Sequence, residues 1–184
     1  MTTERDALLA ALFEAHFDAL LGYARRRTAQ LSDAEDAVAE VFTIAWRQLG
    51  RLPADSADHR PWLYGIARRV LSNQRRGAAR RRRLLERLWE AVLRPTHAAQ
   101  PVDAASALAQ LPPADQEVLR LIAWEELSHK DAALVLGISP NAVAIRVHRA
   151  RRRLKAVMKG STSSRTSPGW KGSVRGMPSG DHNR

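Results

Sequence analysis

Residues 137–154 read GISPNAVAIRVHRARRRL. Gly137 can take the left-handed backbone that ends one helix. Ser139 can cap the next, and Pro140 suits its first position, where a missing N–H is harmless. Within that next helix Val143, Val147, Ala150 and Leu154 recur at four, three and four residues, a buried stripe. Ala132 and Ala133, in the helix before, are small enough for a close crossing, so the spacing predicts a helix-turn-helix. The opposite face carries Asn141, Ala144, Ile145, Arg146, His148 and Arg149. A helix of this kind can lie in the major groove with its N-terminal half toward base edges. Arg149, Arg151, Arg152, Arg153 and Lys155 would lie near phosphates and supply salt-dependent affinity rather than sequence information. The plainer alternative is a helical hairpin with a basic, solvated end.

Upstream, helical periodicity continues and no strand pattern occurs. Leu9, Phe13, Phe17, Leu20 and Ala24 place a first helix at about 4–29. Ser32 and Glu35 form the sequence of a capping box. Ala34, Ala37, Val38, Val41, Ala45 and Leu49 then share a face, with Phe42 and Trp46 beside it. Turn formers interrupt at 51–60. Pro61 suits the first turn of a third helix that carries Leu63, Ile66, Ala67, Val70 and Leu71 inward. The run RRGAARRRR, 75–83, ends this unit or extends it as a charged helix. Residues 94–106 read as a linker. LPPADQEVLRLIAW reopens a helix at Pro112 and Pro113, and helices at 128–136 and 139–157 follow. From Lys159 the chain is rich in Gly, Ser and Pro without periodicity, a composition expected to be disordered.

The 184 residues carry a net charge of +11, unevenly distributed. Residues 1–50 hold 5 basic and 8 acidic side chains, and residues 51–94 hold 12 and 4. Basic charge suggests a polyanion partner, whereas the acidic first quarter calls for a different surface or is simply solvated. The absence of cysteine excludes disulfides and thiolate chemistry and fits a reducing cytoplasm. The N-terminus lacks the pattern of a signal peptide, and no run approaches the roughly 18 apolar residues of a membrane span, so no membrane insertion is expected. Neither a phosphate-binding glycine loop nor a paired-histidine metal motif occurs. The six histidines, at 16, 59, 97, 129, 148 and 182, make no ligand spacing. The chain is therefore expected to be neither an enzyme nor a cofactor or metal binder.

DAEDAVAEVFTIAWRQL (33–49) followed by RPWLYGIARRVLSNQRR (60–76) resembles region 2 of bacterial sigma factors. Residues 111–154 resemble their region 4. The order and short intervening segment are similar to the extracytoplasmic-function group, and the resemblance covers roughly 10–90 and 105–157. It implies an all-α chain of two small helical domains: a region 2 bundle at 1–90 and a region 4 helix-turn-helix at 107–158. A flexible linker at 91–106 would join them, and a disordered basic tail would occupy 159–184.

The implied partners are core RNA polymerase, through the β′ clamp helices and the β flap, and promoter DNA. Family members are often held inactive by an anti-sigma factor, so a partner of that kind is a further candidate. The acidic helix of the family docks on the β′ clamp helices, which assigns Asp33, Glu35, Asp36 and Glu40 to core binding. The loop at 51–60 would hold a base flipped from the melted strand, and Arg60, Trp62, Arg68, Arg69, Asn73, Arg75 and Arg76 would meet the −10 element. Trp62 could stack on a base, though core packing is the favoured reading for it. Asn141, Ala144, Ile145, Arg146, His148 and Arg149 would face the −35 element, with Arg152 and Arg153 near its phosphates. Several positions depart from the family pattern. Ala39 stands where Gln is frequent, Arg69 where Asn is usual, and Ala144 where a basic residue is frequent. Ile145 replaces a small polar residue, and Leu134 replaces a polar one. The reading helix thus has few base-specific groups. A stand-alone helix-turn-helix regulator is the competing reading, but it would lack a dimerisation domain and leave the acidic helix idle.

Overall fold

A computed structural model describes residues 2–88 and 104–163. Among these residues it contains only helices and turns. The α-helices are α1 (Thr2–Arg25), α2 (Leu31–Arg47), α3 (His59–Leu88), α4 (Ala104–Ala109), α5 (Pro113–Ala123), α6 (His129–Leu136) and α7 (Pro140–Ser163). Short 3-10 turns at Leu49–Arg51 and Ser56–Asp58 occupy the segment before α3.

The first unit packs α1, α2 and α3 together. In α2 the buried residues Ala34, Ala37, Val38, Val41, Phe42 and Ala45 follow the three-and-four spacing of one helical face. In α3, Leu63, Tyr64, Ile66, Ala67, Val70 and Leu71 meet it. Each large apolar side chain removed from water here contributes about 1.5–3 kcal/mol. Phe13 behaves differently from the other apolar residues of α1: it is half exposed, while Leu12 is buried in its place. Its ring nonetheless rests 4.8 Å from those of Phe17 and Phe42. By length and composition α1 would be long and apolar enough to cross a membrane. Its apolar side is instead occupied by α2 and α3, with Leu20, Tyr23 and Ala24 buried in the shared core.

The second unit packs α4, α5 and α6 against α7. Gly137 ends α6 with φ +67°, and its N–H donates to the Ala133 carbonyl. The Ser139 hydroxyl accepts from the Ala142 amide at 3.2 Å. Val143, Val147 and Ala150 are buried, and Leu154 is half-buried. Ser128 caps α6 by accepting from the Asp131 amide, and its hydroxyl donates to the Asp131 carboxylate.

Several expectations are corrected. The capping box at Ser32 does not form: α2 begins two residues earlier than that cap would allow, its N-cap is Gln30, and no side chain caps it. Burying Ala34 and Val38 fixes the helix phase, and Ser32 falls inside the first turn. Helix α1 stops at Arg25 rather than near 29, because Arg26 and Arg27 turn away to meet α5 and its C-terminal turn. The third helix starts at His59, two residues before Pro61, and the arginine run continues it to Leu88. Residues 104–106, assigned to the linker, form the first turn of α4, and 159–163, assigned to the tail, remain in α7. The rest of the linker and tail lie outside the described residues. Finally, the two units are not held apart. One hydrophobic core runs through both, and α6 packs on α3.

Candidate nucleic-acid interface

Asp33, Glu35, Asp36 and Glu40 are all exposed on α2, while the apolar residues interleaved with them are buried. Helical phase forces this arrangement, and the result is a solvated carboxylate surface on the side of α2 opposite its buried core face. Asp33 and Asp36 border a groove whose far side carries Arg75, Arg80 and Arg81 from α3. The acidic surface thus adjoins a basic one along a single cleft.

The segment before α3 is ordered by local bonds. Asp55 caps the 3-10 turn by accepting from the Ala57 amide at 2.9 Å, and the His59 Nε2 donates to the Pro53 carbonyl at 3.0 Å. Arg60 and Trp62 are half-buried, and Trp62 packs against the core. His16 of α1 lies near this segment. Burial, followed by the charges of His59 and Arg60, lowers its pKa below the usual histidine value.

Along α3 the polar face carries Arg68, Arg69, Asn73, Arg75 and Arg76. These five line one wall of a groove of about 690 Å³. The other wall is Pro113, Ala114 and Glu117 of α5. Arg69 donates from Nε to the Gly65 carbonyl at 3.1 Å, and Arg76 donates to the Ser72 hydroxyl at 2.9 Å and to the Asn73 side-chain oxygen. Intrahelical bonds of this kind tether the guanidinium groups yet leave them exposed to a phosphate.

On α7, Asn141, Ile145, His148, Arg149 and Arg152 are exposed, and Ala144 and Arg146 are half-buried. The side chains expected to face a duplex therefore emerge on the side opposite the Val143–Val147–Ala150 stripe. Arg153 is used differently: its guanidinium donates to the buried Asp115 of α5. It ties α7 to α5, while more than half of the Arg153 side chain stays exposed beside Arg149 and Arg152. Leu134 projects from α6 and is half exposed.

A cluster that sequence reasoning missed joins the two units. Arg27, at the end of α1, has a side chain with 0% exposure. Its Nε donates to Glu117 Oε2 at 3.1 Å, its Nη2 to Glu117 Oε1 at 3.2 Å, and its Nη1 to Glu125 Oε1 at 2.9 Å. Nη1 also donates to the Tyr23 carbonyl at 2.9 Å, and the guanidinium lies 3.5 Å over the Tyr23 ring. The Tyr23 hydroxyl donates to Glu117 Oε1 at 2.9 Å, and Arg26 completes the cluster by donating to both oxygens of Glu125. Burial pushes the Glu117 carboxyl up, but Arg27 and Tyr23 outweigh it and hold the pKa below the ordinary value. Burial raises Tyr23 far above its usual range, so it stays a donor. Burial and the neighbouring Arg27 charge lower the pKa of Arg120, whose Nε is buried without a partner.

Comparison with known proteins bears on this layout. Residues 12–81 match the family described as Sigma-70 region 2, and residues 102–154 match Sigma-70, region 4. The chain is 30% identical over 159 residues to the ECF RNA polymerase sigma factor SigL of Mycobacterium tuberculosis, covering 83% of this chain and 89% of that protein. It is 32% identical over 162 residues to the RNA polymerase sigma factor NccH of Alcaligenes xylosoxydans xylosoxydans, covering 82% and 86%. Among solved structures it resembles CnrH in complex with the cytosolic domain of CnrY. The TM-score there is 0.60 and the identity 29%, covering 84% of this chain and 90% of that one.

Proposed function

The chain belongs to the sigma-70 family and is an extracytoplasmic-function RNA polymerase sigma factor, and on that premise we propose how its surfaces divide the work. The α2 carboxylates Asp33, Glu35, Asp36 and Glu40 dock on the β′ clamp helices of core polymerase. The observation that carries this assignment is that all four are exposed while the apolar residues between them are buried. Exposed carboxylates keep their hydration until a cationic partner arrives, so they favour encounter and orientation.

In the same reading, the segment 51–60 and the polar face of α3 receive the melted −10 strand. Arg68, Arg69, Arg75 and Arg76 neutralise its phosphates, each contributing about 0.7 of a unit of salt dependence on a single strand. The N-terminal half of α7 enters the −35 major groove. Ala144 and Ile145 offer apolar contact to thymine methyls, and Arg149 can reach a guanine edge. Region 4 also meets the β flap. Because the α7 face holds few bidentate readers, specificity comes from placing two modest readers on one promoter. Bond-forming chemistry stays with the polymerase, and the factor works in the cytoplasm, where the polymerase and its template are. The sigma factor RpoE of Bartonella quintana, 26% identical with a TM-score of 0.55, was solved in complex with the anti-sigma factor NepR. That precedent supports an anti-sigma protein as a partner of this chain also.

The stand-alone regulator is not favoured, since it assigns the acidic face of α2 no role. Removing two carboxylates with Asp36→Ala and Glu40→Ala tests the docking assignment. A pull-down titration should show weaker core binding with an unchanged circular dichroism spectrum, and unchanged core affinity refutes the assignment.

A further inference from the structure

We propose that His59 is a positioning residue for promoter reading: its imidazole holds the backbone of the 51–60 segment in the shape that receives the −10 base. This inference rests on the assignment of that segment to the −10 strand and adds the side chain that sets its shape.

Burial does little to hold this segment. Its rim, Ala54, Asp55, Ser56 and Ala57, is exposed and carries no large apolar side chain. The apolar contacts that fix α2 and α3 are therefore missing from it, and hydrogen bonds take their place. The backbone bonds are short in sequence. The Leu52 N–H donates to the Leu49 carbonyl at 3.1 Å, the Asp58 N–H to the Asp55 carbonyl at 3.0 Å, and the His59 N–H to the Ser56 carbonyl. Each orders one turn, before the rim or at its far end. The Asp55 carboxylate adds a bond within the second turn. Among the described residues, the His59 side chain is the group that bridges the rim. From the first residue of α3 its Nε2 reaches back six residues to the Pro53 carbonyl at 3.0 Å.

The chemistry of both partners suits that task. Proline has a fixed φ, so a bond to the Pro53 carbonyl sets the remaining torsion, ψ, where the rim begins. A carbonyl only accepts, so the imidazole presents an Nε2–H to it. The donor also stands on a rigid support, because Pro61 and Leu63 are buried just beyond it and Trp62 packs against the core. Small side chains leave the rim backbone open to an approaching base. Groups held in place before a ligand arrives bind it with less ordering cost. Releasing the rim therefore costs discrimination at −10. It spares core docking and −35 reading, which lie on α2 and α7.

The test uses the full chain with core polymerase, a promoter from which it initiates, and copies of that promoter substituted at each −10 and −35 position. His59→Ala should weaken the base preference at a −10 position about fivefold, the worth of about one net hydrogen bond, with −35 preferences and core affinity within about twofold of wild type. His59→Gln carries an amide N–H close to the position of Nε2 and should restore the preference. His59→Asn carries its amide near Nδ1, too short to reach Pro53, and should not. Equal behaviour of the glutamine and asparagine variants, or an undiminished −10 preference in His59→Ala, would overturn the proposal. A wild-type protein indifferent to every −10 base would instead overturn the assignment of the segment to the −10 strand. A second measurement needs neither DNA nor polymerase. Hydrogen exchange at the Ala57 and Asp58 amides, both bonded within the second turn, should quicken in His59→Ala and His59→Asn but not in His59→Gln. The amides of α2 and α3 should keep their protection. The glutamine and asparagine pair decides the outcome even where the alanine variant melts early. Equal exchange in all four proteins would show that His59 does not hold the rim.

Discussion

Replacing Arg27 with Met removes a buried cation while keeping an unbranched side chain of similar length. The wild-type guanidinium makes four hydrogen bonds, three to carboxylate oxygens and one to a carbonyl. Without it, Glu117 keeps only the Tyr23 hydroxyl and Glu125 only Arg26 among the contacts described. Removing one partner of a buried ionic cluster costs about 3–5 kcal/mol, because the remaining charge stays desolvated. For a chain of this size each kcal/mol corresponds to about 2–4 °C in the unfolding midpoint, which gives about 6–20 °C. The variant has an escape, since undocking region 4 returns both carboxylates to water. Differential scanning calorimetry should therefore show the single wild-type transition split in two, the lower one at least about 6 °C below the wild-type midpoint. Adding Glu117→Gln to Arg27→Met should cost little more, since these contacting residues are strongly coupled. A single transition within about 2 °C of wild type would mean that the Arg27 cluster does not hold the two units together.

Four further outcomes follow from the same geometry. Asp36→Ala with Glu40→Ala should weaken core binding about tenfold, or about 1.4 kcal/mol, without moving the melting midpoint; equal midpoints and equal affinity in titration would remove the docking assignment. Arg149→Ala should reduce promoter-specific transcription by the roughly 1–3 kcal/mol of a lost base-edge contact while sparing core affinity, and equal loss of both in parallel titrations would make the residue structural. Gly137→Ala forces a Cβ into the left-handed region at φ +67°, a cost of about 1–2 kcal/mol, read as a fall in the midpoint of the second unit. Because the pKa of Glu117 is depressed in the folded chain from its ordinary 4.5, its contribution should be complete above about pH 4.5 and lost as pH falls through the lower folded value. Glu117→Gln should flatten the acid limb of a stability–pH curve, and an identical limb would contradict the assignment.

The sequence made the local parts of this molecule legible. Gly137, Ser139 and Pro140 announce the helix-turn-helix because turn and cap chemistry depend on neighbours in the chain, and all three occupy the expected positions. The buried stripes of α2 and α7 follow from spacing alone. The capping box failed for a related reason: burial of Ala34 and Val38 set the helix phase, and a weaker local preference yielded. The buried cluster of Tyr23, Arg27, Glu117 and Glu125 had no local signature. Arg27 and Glu117 are 90 residues apart, and Arg26 and Glu125 are 99 apart. In the sequence these arginines look like the basic end of a helix. Only a tyrosine–arginine cluster next to an apolar face, and a glutamate beside Val118, hinted that charge would be buried. Arg153 shows the same limit, since its position in a basic run gave no sign that packing of α7 on α5 would pair it with Asp115.

A sigma factor of this kind should select promoters only together with core polymerase. Run-off transcription and gel-shift from one promoter library, with and without core, measure this directly. Specific initiation and a specific shifted complex are expected only when core is present. Tight, specific duplex binding by the chain alone, with no core-dependent transcript, would contradict it.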